Sequence, residues 1–347
     1  MNPVIIRVDG GSDIGMGHYK RCLTIALSLE RELNVKSIFL TKSQNVVFAN
    51  KKHNYETVLL SGNLGLEGDL EQAVGLISDQ GARVFIIDIN HSLTEEDDYL
   101  TYLRGIKESG IFSIAFDDFQ VHPGFADLVV VPYVGGEVIQ TDDDTESRYL
   151  LGPKFFILGR EYKRAALPRK KSLMPRILIC FGGADTNNWT TLVGRSLASS
   201  ELQVHLNIVR GPAACNWEPT FLPYLQKSGI SFRIIDSPAG LSKIMQDSTL
   251  AILSSGLTQY EAAAMGLPSV VLSLSDYHLQ VTDRFASTGA ALSFGLLDMH
   301  RMPEFQETVL SLAFNDERLN LMASAGVGIV DGRGIDRLIV HLKAQLL

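Results

Sequence analysis

The sequence predicts an α/β protein with two domains, each built on a parallel β-sheet that has helices on both faces. The chain has 347 residues, more than one hydrophobic core usually supports. Strand-like runs alternate with helical patterns along almost the whole chain, as in a doubly wound parallel sheet. A charged stretch near the middle interrupts this alternation, which then restarts. We therefore predict two Rossmann-like domains.

The first half of the chain opens with a continuous apolar strand at Val4–Val8, followed by a glycine loop and a helix from about Tyr19 to Leu33. We predict further strands at Ser37–Leu40, Val84–Asp88, Phe112–Phe116 and Leu128–Val131, a short element near Glu56–Leu60, and helices at Glu67–Gln80 and Tyr99–Ser109. Val84–Asp88 is typical of a buried strand and ends in a carboxylate. Ligands usually collect at the carboxyl ends of parallel strands.

The stretch between the two halves is basic and contains two prolines. Its charged side chains are Lys163, Arg164, Arg169, Lys170 and Lys171. This composition is typical of an exposed linker, and a basic membrane-surface patch is a second interpretation of the same run. We predict an N-terminal domain over residues 1–162, a linker over 163–175 and a C-terminal domain over 176–347.

After the linker, the pattern restarts with a strand at Arg176–Phe181, a polar glycine loop and a helix at Thr190–Ser199. The other predicted elements of this half are strands at Leu206–Val209, Phe232–Ile235, Leu250–Leu253 and Ser269–Leu272, and a helix at Gln259–Met265. The chain ends in an amphipathic helix at Gly334–Leu347, which can pack back on the N-terminal domain.

The net charge of −8 argues against a nucleic-acid partner, although backbone amides can hold a compact anion such as a diphosphate. No apolar run approaches the ~20 residues that span a bilayer. The amino terminus also lacks the layout of a signal peptide. We expect a cytoplasmic protein without stable membrane insertion, and a monomer is compatible with the sequence.

The cysteines Cys22, Cys180 and Cys215 are far apart and show no C-x-x-C spacing. We expect core positions for Cys22 and Cys180 rather than a zinc or redox site. The acidic run Asp142–Asp144 is more typical of a solvated surface than of a metal cage. The sequence therefore predicts no metal and no cofactor.

Two glycines and a histidine mark the loop between the first strand and the first helix. Gly15 and Gly17 allow backbone angles closed to other residues and let a ligand approach the main chain. His18 falls at the start of the helix, where the dipole favours a neutral imidazole, and a neutral histidine can act as a general base. A tight turn with a histidine that only caps or packs is equally compatible. The spacing matches neither the dinucleotide fingerprint nor a P-loop.

The corresponding loop of the second half is Phe181–Asp185, with the glycine pair Gly182 and Gly183. Paired glycines after a buried strand suit close approach to a phosphate or sugar, and an ordinary strand-to-helix turn is equally compatible. This loop by itself does not distinguish a ligand-binding loop from an ordinary turn.

The segment Leu253–Pro268 is the most informative. Ser255 and Gly256 are predicted to offer free amides to an anion such as a diphosphate, at the start of a helix. Glu261, about one turn further, could accept hydrogen bonds from both ribose hydroxyls. The pattern Thr258-x-x-Glu261 is also that of a capping box, in which the glutamate only satisfies the helix's own amide.

The polar segment Ser275–Gln280 follows the next strand. It places Asp276, His278 and Gln280 at a carboxyl end, beside the Leu253–Pro268 segment. A surface loop without a ligand is the alternative.

Five groups of short segments occur in a fixed order: Arg7–His18 with Arg21–Leu23; Tyr149–Lys154; Phe181–Asp185; Ser255–Glu261 with Gly266–Pro268; and Asp331–Ile335. Together they resemble the glycosyltransferase-B architecture. The most similar family is the UDP-2,4-diacetamido-2,4,6-trideoxy-β-L-altropyranose hydrolases of pseudaminic acid biosynthesis, and the resemblance covers nearly the whole chain. The segment Ser255–Glu261 also resembles the nucleotide site of the lipid II-forming N-acetylglucosaminyltransferase.

The resemblance implies two Rossmann-like domains facing across a cleft and a UDP-sugar substrate. It implies that His18 activates water for attack at the anomeric carbon, with inversion and loss of UDP. It also implies that the glycine loop and the amides at Ser255 and Gly256 stabilise the diphosphate, and that Glu261 binds the ribose. Thr258, His278 and Gln280 complete the predicted binding residues.

Two departures from the family pattern keep other functions open. The family's Asp-His-Tyr is replaced by Asp88–Asn90, so the tyrosine is absent, and His91 is a candidate substitute. The family's asparagine-glutamine pair is altered to Tyr277–Gln280. We predict a UDP-sugar hydrolase. A glycosyltransferase of the same architecture and a non-catalytic nucleotide-sugar-binding protein are the alternatives.

Overall fold

The computed structural model describes residues 2–11, 14–89, 96–116, 125–139, 148–163, 174–185, 187–211, 214 and 217–346. Asn90, His91, Asp142–Asp144, Cys215 and most of the predicted linker lie outside these ranges. The chain forms two compact units. Unit 1 comprises Met1–Gly159 and Arg333–Leu347, and unit 2 comprises Arg160–Gly332.

Unit 1 contains a parallel sheet of seven strands in the order β3-β2-β1-β4-β5-β6-β7. The strands are β1 (Val4–Val8), β2 (Ser37–Thr41), β3 (Glu56–Leu59), β4 (Val84–Asp88), β5 (Phe112–Phe116), β6 (Leu128–Val131) and β7 (Arg148–Leu151). The helices that connect them are α1 (Gly17–Leu33), α2 (Gln44–Lys51), α3 (Leu66–Gln80) and α4 (Glu96–Glu108). All residues of β1, β2 and β4 are buried, as expected for strands covered by helices on both faces.

Unit 2 repeats this plan with six parallel strands in the order β10-β9-β8-β11-β12-β13. The strands are β8 (Arg176–Cys180), β9 (His205–Arg210), β10 (Ser231–Asp236), β11 (Leu250–Ser254), β12 (Ser269–Ser273) and β13 (Ala291–Leu296). The helices are α5 (Trp189–Ala198), α6 (Phe221–Ser228), α7 (Ser242–Gln246), α8 (Leu257–Ala264), α9 (Asp276–Ala286), α10 (Met302–Ala313) and α11 (Asp316–Ile329).

The last helix, α12 (Gly334–Leu346), belongs to unit 1, where it packs against α1. Its side chains Ile335, Leu338, Ile339 and Leu342 join the same apolar core as Cys22 of α1. Gly334 lies so close to the main chain at Phe156 that a side chain there would collide with it. The turn Asp331–Gly334 thus precedes a helix that is closely packed in unit 1.

Each sheet reverses its strand order at one position, between β1 and β4 in unit 1 and between β8 and β11 in unit 2. In open α/β sheets, ligands bind beyond the carboxyl ends of the strands that flank such a switch point. The loop before α1 and the end of β4 lie at the first switch point. The loop Phe181–Asp185 and the turn at Ser255–Gly256 lie at the second.

The predicted fold class is confirmed, with its strands close to the expected positions. Elements that the sequence pattern did not predict are β7, β13, α2, α6, α7, α9, α10 and α11, and the short element near Glu56–Leu60 is the strand β3. The segment Ser275–Gln280 is not a surface loop, because it forms the start of α9. No helix in the described part of the chain is long and apolar enough to cross a membrane.

Candidate functional site

The loop before α1 turns sharply. Gly15 has φ 73°, a left-handed backbone that favours glycine, and the Gly11 amide donates to the Gly15 carbonyl over 3.0 Å. Gly17 opens α1 without a positive φ, so the predicted need for unusual backbone angles holds at Gly15 and not at Gly17. Both positions face open space where a side chain would lie. The loop therefore exposes its main chain.

His18 is the second residue of α1, and its ring is held by a buried carboxylate. Its Nδ1 atom lies 2.7 Å from Oδ1 of Asp88, the last residue of β4. Because an ionised carboxylate accepts hydrogen bonds and does not donate them, Nδ1 carries the proton. The basic lone pair is then on Nε2. This is the arrangement in which an acidic residue orients a histidine for general-base catalysis.

Arg21 fixes Asp88 in turn. Its Nε and Nη2 atoms donate to the two carboxylate oxygens of Asp88 over 2.7 and 2.6 Å. Its Nη1 atom donates to the hydroxyl of Tyr133 over 2.9 Å, and its guanidinium stacks 4.7 Å from the ring centre of Phe116. Burial alone would raise the pKa of Asp88, but Arg21 and then His18 hold that pKa well below its usual range. Asp88 therefore stays a carboxylate, and its orientation is fixed.

His18 was predicted as a site residue from the sequence, whereas no role was predicted for Asp88, Arg21 or Tyr133. Asp88 reaches α1 because β1 and β4 are neighbours, with Val8 opposite Asp88. Arg21 follows His18 by three positions, so both side chains lie on one face of α1. A buried strand that ends in an acid, together with an i, i+3 His–Arg pair, was the available signal.

In unit 2, the glycine pair of Phe181–Asp185 packs against the end of β9. Gly182 and Gly183 place their carbonyls against Gly211, where a side chain would not fit. The Asp185 carboxylate accepts from the amides of Trp189 and Thr190 over 2.9 and 3.1 Å and so caps α5. The Gly183 position itself faces open space. The loop leaves room for a ligand at Gly183, while Asp185 serves the helix.

The turn before α8 corrects one expectation. The Ser255 amide is not free, because it donates to the Leu272 carbonyl over 3.1 Å and extends the pairing of β11 with β12 by one residue. Gly256 has φ 123° and ψ −151°, a conformation essentially restricted to glycine, and it is exposed. It directly precedes α8, and no side chain caps this helix. The amides from Gly256 onward are therefore the ones at this end that the helix itself does not bond.

The capping-box interpretation of Thr258 and Glu261 is wrong. The N-cap position of α8 is Gly256, so Thr258 lies inside the first turn and is not the capping residue. Glu261 is buried beside Tyr162, and the nearby carboxylate contributes, after burial, to raising the pKa of the Tyr162 phenol. The Tyr162 hydroxyl also accepts from the Leu241 amide over 3.3 Å. Tyr162, which the sequence analysis missed, therefore links Glu261 to the start of α7.

The start of α9 carries the remaining predicted residues. Ser275 is the N-cap, and its hydroxyl lies 2.8 Å from Nδ1 of His278. Gln280 is exposed in the same first turns. Because β11 and β12 are adjacent and parallel, α8 and α9 both begin at the same edge of the sheet. The structure therefore places these residues at the edge where α8 begins.

No family model matches the chain. MJ1062, an uncharacterized protein of Methanocaldococcus jannaschii, is 31% identical over 294 residues, which are 81% of this chain and 58% of that protein. The spore coat polysaccharide biosynthesis protein SpsG of Bacillus subtilis is 25% identical over 358 residues, 97% of each chain. The chain thus spans little more than half of the first relative and nearly all of the second.

Solved structures match over the whole length. MurG of Acinetobacter baumannii has a TM-score of 0.71 at 12% identity, covering 99% of both chains. The spinosyn rhamnosyltransferase SpnG, complexed with thymidine diphosphate, has a TM-score of 0.62 at 13% identity, covering 98% of this chain and all of that one. The chain has the glycosyltransferase-B fold. A UDP-N-acetylglucosamine 2-epimerase also matches, with a TM-score of 0.58 at 13% identity over 99% of this chain and 96% of that one.

Proposed function

We propose that the protein is a glycosyltransferase that takes its sugar from a nucleotide-sugar donor. The observation that carries this proposal is the His18–Asp88–Arg21 arrangement, a histidine whose Nδ1 is bonded to a buried carboxylate at a switch point of the fold. The structural likeness to SpnG, a rhamnosyltransferase, supports it. The likeness to SpsG, a spore coat polysaccharide biosynthesis protein, supports a saccharide hydroxyl as the acceptor.

In unit 1, His18 is the proposed general base. Nε2 takes the proton of the acceptor hydroxyl while the hydroxyl oxygen attacks the anomeric carbon of the donor. The new bond joins the acceptor oxygen to that carbon, and the bond from the carbon to the phosphate oxygen breaks. The nucleoside diphosphate leaves with that bonding pair, and attack opposite the leaving group inverts the centre. Asp88 stabilises the imidazolium that forms.

In unit 2, the amides from Gly256 onward are the proposed donors to the diphosphate. They begin a helix that has no side-chain cap, and a helix N-terminus favours negative charge. The negative charge that develops as the diphosphate departs is greatest in the transition state, so these donors also lower the barrier. Glu261 is the proposed ribose contact and Gln280 a sugar contact. The resemblance described from the sequence indicates UDP as the nucleotide.

The Gly256→Ala variant tests the diphosphate site. A side chain at φ 123° is strained by about 1–3 kcal/mol, and the turn must change to relieve it. We expect UDP affinity to fall about tenfold or more, since the amides then point elsewhere. The measurement is the rise in thermal midpoint with UDP concentration, because a ligand that binds only the folded state raises the midpoint by mass action.

Gly328→Ala is the matched control in the same unit. Gly328 lies in α11, faces open space and has no positive φ, so alanine should slightly raise the midpoint and leave UDP binding unchanged. Equal UDP affinity in wild type and Gly256→Ala would exclude Gly256 from the site.

Release of UDP from a UDP-sugar should depend on an acceptor. We expect slow release from donor alone and at least about tenfold faster release when a saccharide acceptor is added, because a positioned hydroxyl competes strongly with water. The measurement is UDP formation over a panel of monosaccharide and oligosaccharide acceptors, with NMR detection of the new glycosidic bond.

A nucleotide-sugar hydrolase is the second candidate. It is favoured by the ordered resemblance to the hydrolase family, and the His18–Asp88 pair would deprotonate water as readily as a saccharide hydroxyl. Release of free sugar at the full rate without any acceptor would establish this reaction and contradict the transferase.

A further inference from the structure

A hydroxyl pair joins the turn before α8 to the second turn of α9. The Thr282 hydroxyl of α9 lies 2.7 Å from the Ser255 hydroxyl, which directly precedes Gly256. Thr282 is fully buried. The Ser255 hydroxyl has weaker contacts of 3.4 Å to the Leu272 carbonyl and the Ser273 hydroxyl. The short contact with the Thr282 hydroxyl therefore fixes the rotamer of Ser255.

The face of α9 that carries Thr282 contacts α8 through one aromatic pair. Phe285, three positions further, lies 4.8 Å from the ring centre of Tyr260 in α8. His278 precedes Thr282 by four positions, so it lies on the same face, one turn closer to the start of α9. Because Phe285 contacts Tyr260 and Thr282 contacts Ser255, the side of α9 that carries His278 is the side that contacts α8 and the turn before it.

The His278 ring has a defined orientation. The Ser275 hydroxyl lies 2.8 Å from its Nδ1 atom. When this hydroxyl donates to Nδ1, the ring proton is on Nε2, and an Nε2–H group is a donor suited to a phosphate oxygen. Ser275 and Thr282 thus lie about two helical turns apart on either side of His278. Ser275 sets the tautomer of His278, and Thr282 sets the position of its helix.

An independent observation indicates a ligand at this end of α8. The Gln259 side chain is 1% exposed, and neither its amide nitrogen nor its oxygen has a hydrogen-bond partner among the described residues. Gln259 is in the first turn of α8, and helical side chains lean toward the N-terminus. Buried polar groups are normally satisfied, so an unpartnered amide here is consistent with a polar ligand that completes the site.

We propose that Thr282 is a positioning residue for the diphosphate of the nucleotide. Its hydroxyl holds the Ser255–Gly256 turn, and its place in α9 sets His278 to donate to a phosphate oxygen. This inference rests on the proposed nucleotide site. The ligand chemistry is a nucleoside diphosphate, recognised by the amides of one helix and the imidazole of its neighbour.

The test is titration calorimetry of UDP and of uridine with wild type, Thr282→Val and Thr282→Ser. We expect Thr282→Val, which keeps the side-chain shape and removes the hydroxyl, to weaken UDP binding about fivefold. Uridine lacks the phosphates, so its affinity should not change. Thr282→Ser restores the hydroxyl and should recover most of the UDP affinity, which a purely structural loss would not predict.

Thr288→Val is the matched control, because it removes a hydroxyl whose bonds are local: it donates to the Phe285 carbonyl over 2.6 Å and accepts from the Ala290 amide over 3.3 Å. It should bind UDP as wild type does. A His278→Ala variant completes the design. In that background, Thr282→Val should weaken UDP binding by a smaller factor than in wild type, since part of its effect acts through the imidazole.

The outcomes separate the two proposals. If wild type does not bind UDP, the nucleotide site itself fails. If wild type binds UDP but Thr282→Val binds it equally well, or loses UDP and uridine affinity by the same factor, the positioning role is overturned while the site stands. Strictly additive effects of the His278 and Thr282 variants would remove His278 from the inference.

Discussion

His18→Ala is expected to lower kcat for the nucleotide sugar by about 10³-fold and to leave UDP affinity unchanged. A positioned general base typically contributes between about 10² and 10⁴ in rate. The proposed diphosphate donors belong to unit 2, so loss of the imidazole in unit 1 should not weaken them. Steady-state UDP release gives the first quantity, and titration calorimetry with UDP gives the second.

His53→Ala is the control for this experiment. His53 is an exposed histidine of unit 1 that follows α2 and has no part in the candidate site. It should retain the wild-type rate. Turnover by His18→Ala within a fewfold of wild type would contradict the assignment of His18 as the base, and loss of UDP binding together with turnover would indicate a damaged fold.

The position of His18 could be predicted because it depends on local pattern. The strand, the glycine loop and the helical periodicity are close together in the sequence. They therefore show directly that His18 lies near the start of the helix. Its partner could not be found in this way. Asp88 is distant along the chain and meets His18 only because β4 lies beside β1 in the sheet. The sequence indicated that β4 is buried and ends in an acid, but it did not determine the strand order.

At the turn before α8, a local sequence pattern gave a wrong prediction. The pattern Thr258-x-x-Glu261 fits a capping box, yet α8 begins at Leu257 because Gly256 adopts a backbone conformation that other residues avoid. The Ser255 amide is used by the sheet, since the pairing of β11 and β12 extends one residue beyond the apolar run. Both facts depend on the exact register of the strands, and apolar periodicity does not determine it.

Asp88→Asn should lower kcat by an amount on the order of 10³-fold while His18 remains in place. An asparagine can present its amide N–H to Nδ1, and the ring proton then moves to Nε2. The imidazole would still lie in the same position, but the lone pair needed to take the acceptor proton would be lost. A fall in kcat with little change in KM for the donor is therefore the expected signature.

This substitution also removes a charge from beside Arg21, so a structural effect must be separated from a catalytic one. Leaving one partner of a buried ion pair unmatched typically costs about 3–5 kcal/mol, and the thermal midpoint should fall. The kinetic comparison is therefore made well below that midpoint and includes the double variant with His18→Ala. If Asp88 acts through the imidazole, the double variant is no slower than His18→Ala alone, because residues that act as one unit are not additive. Multiplying losses would show that Asp88 serves the fold, and the pairing of Asp88 with His18 would then have no role in proton transfer.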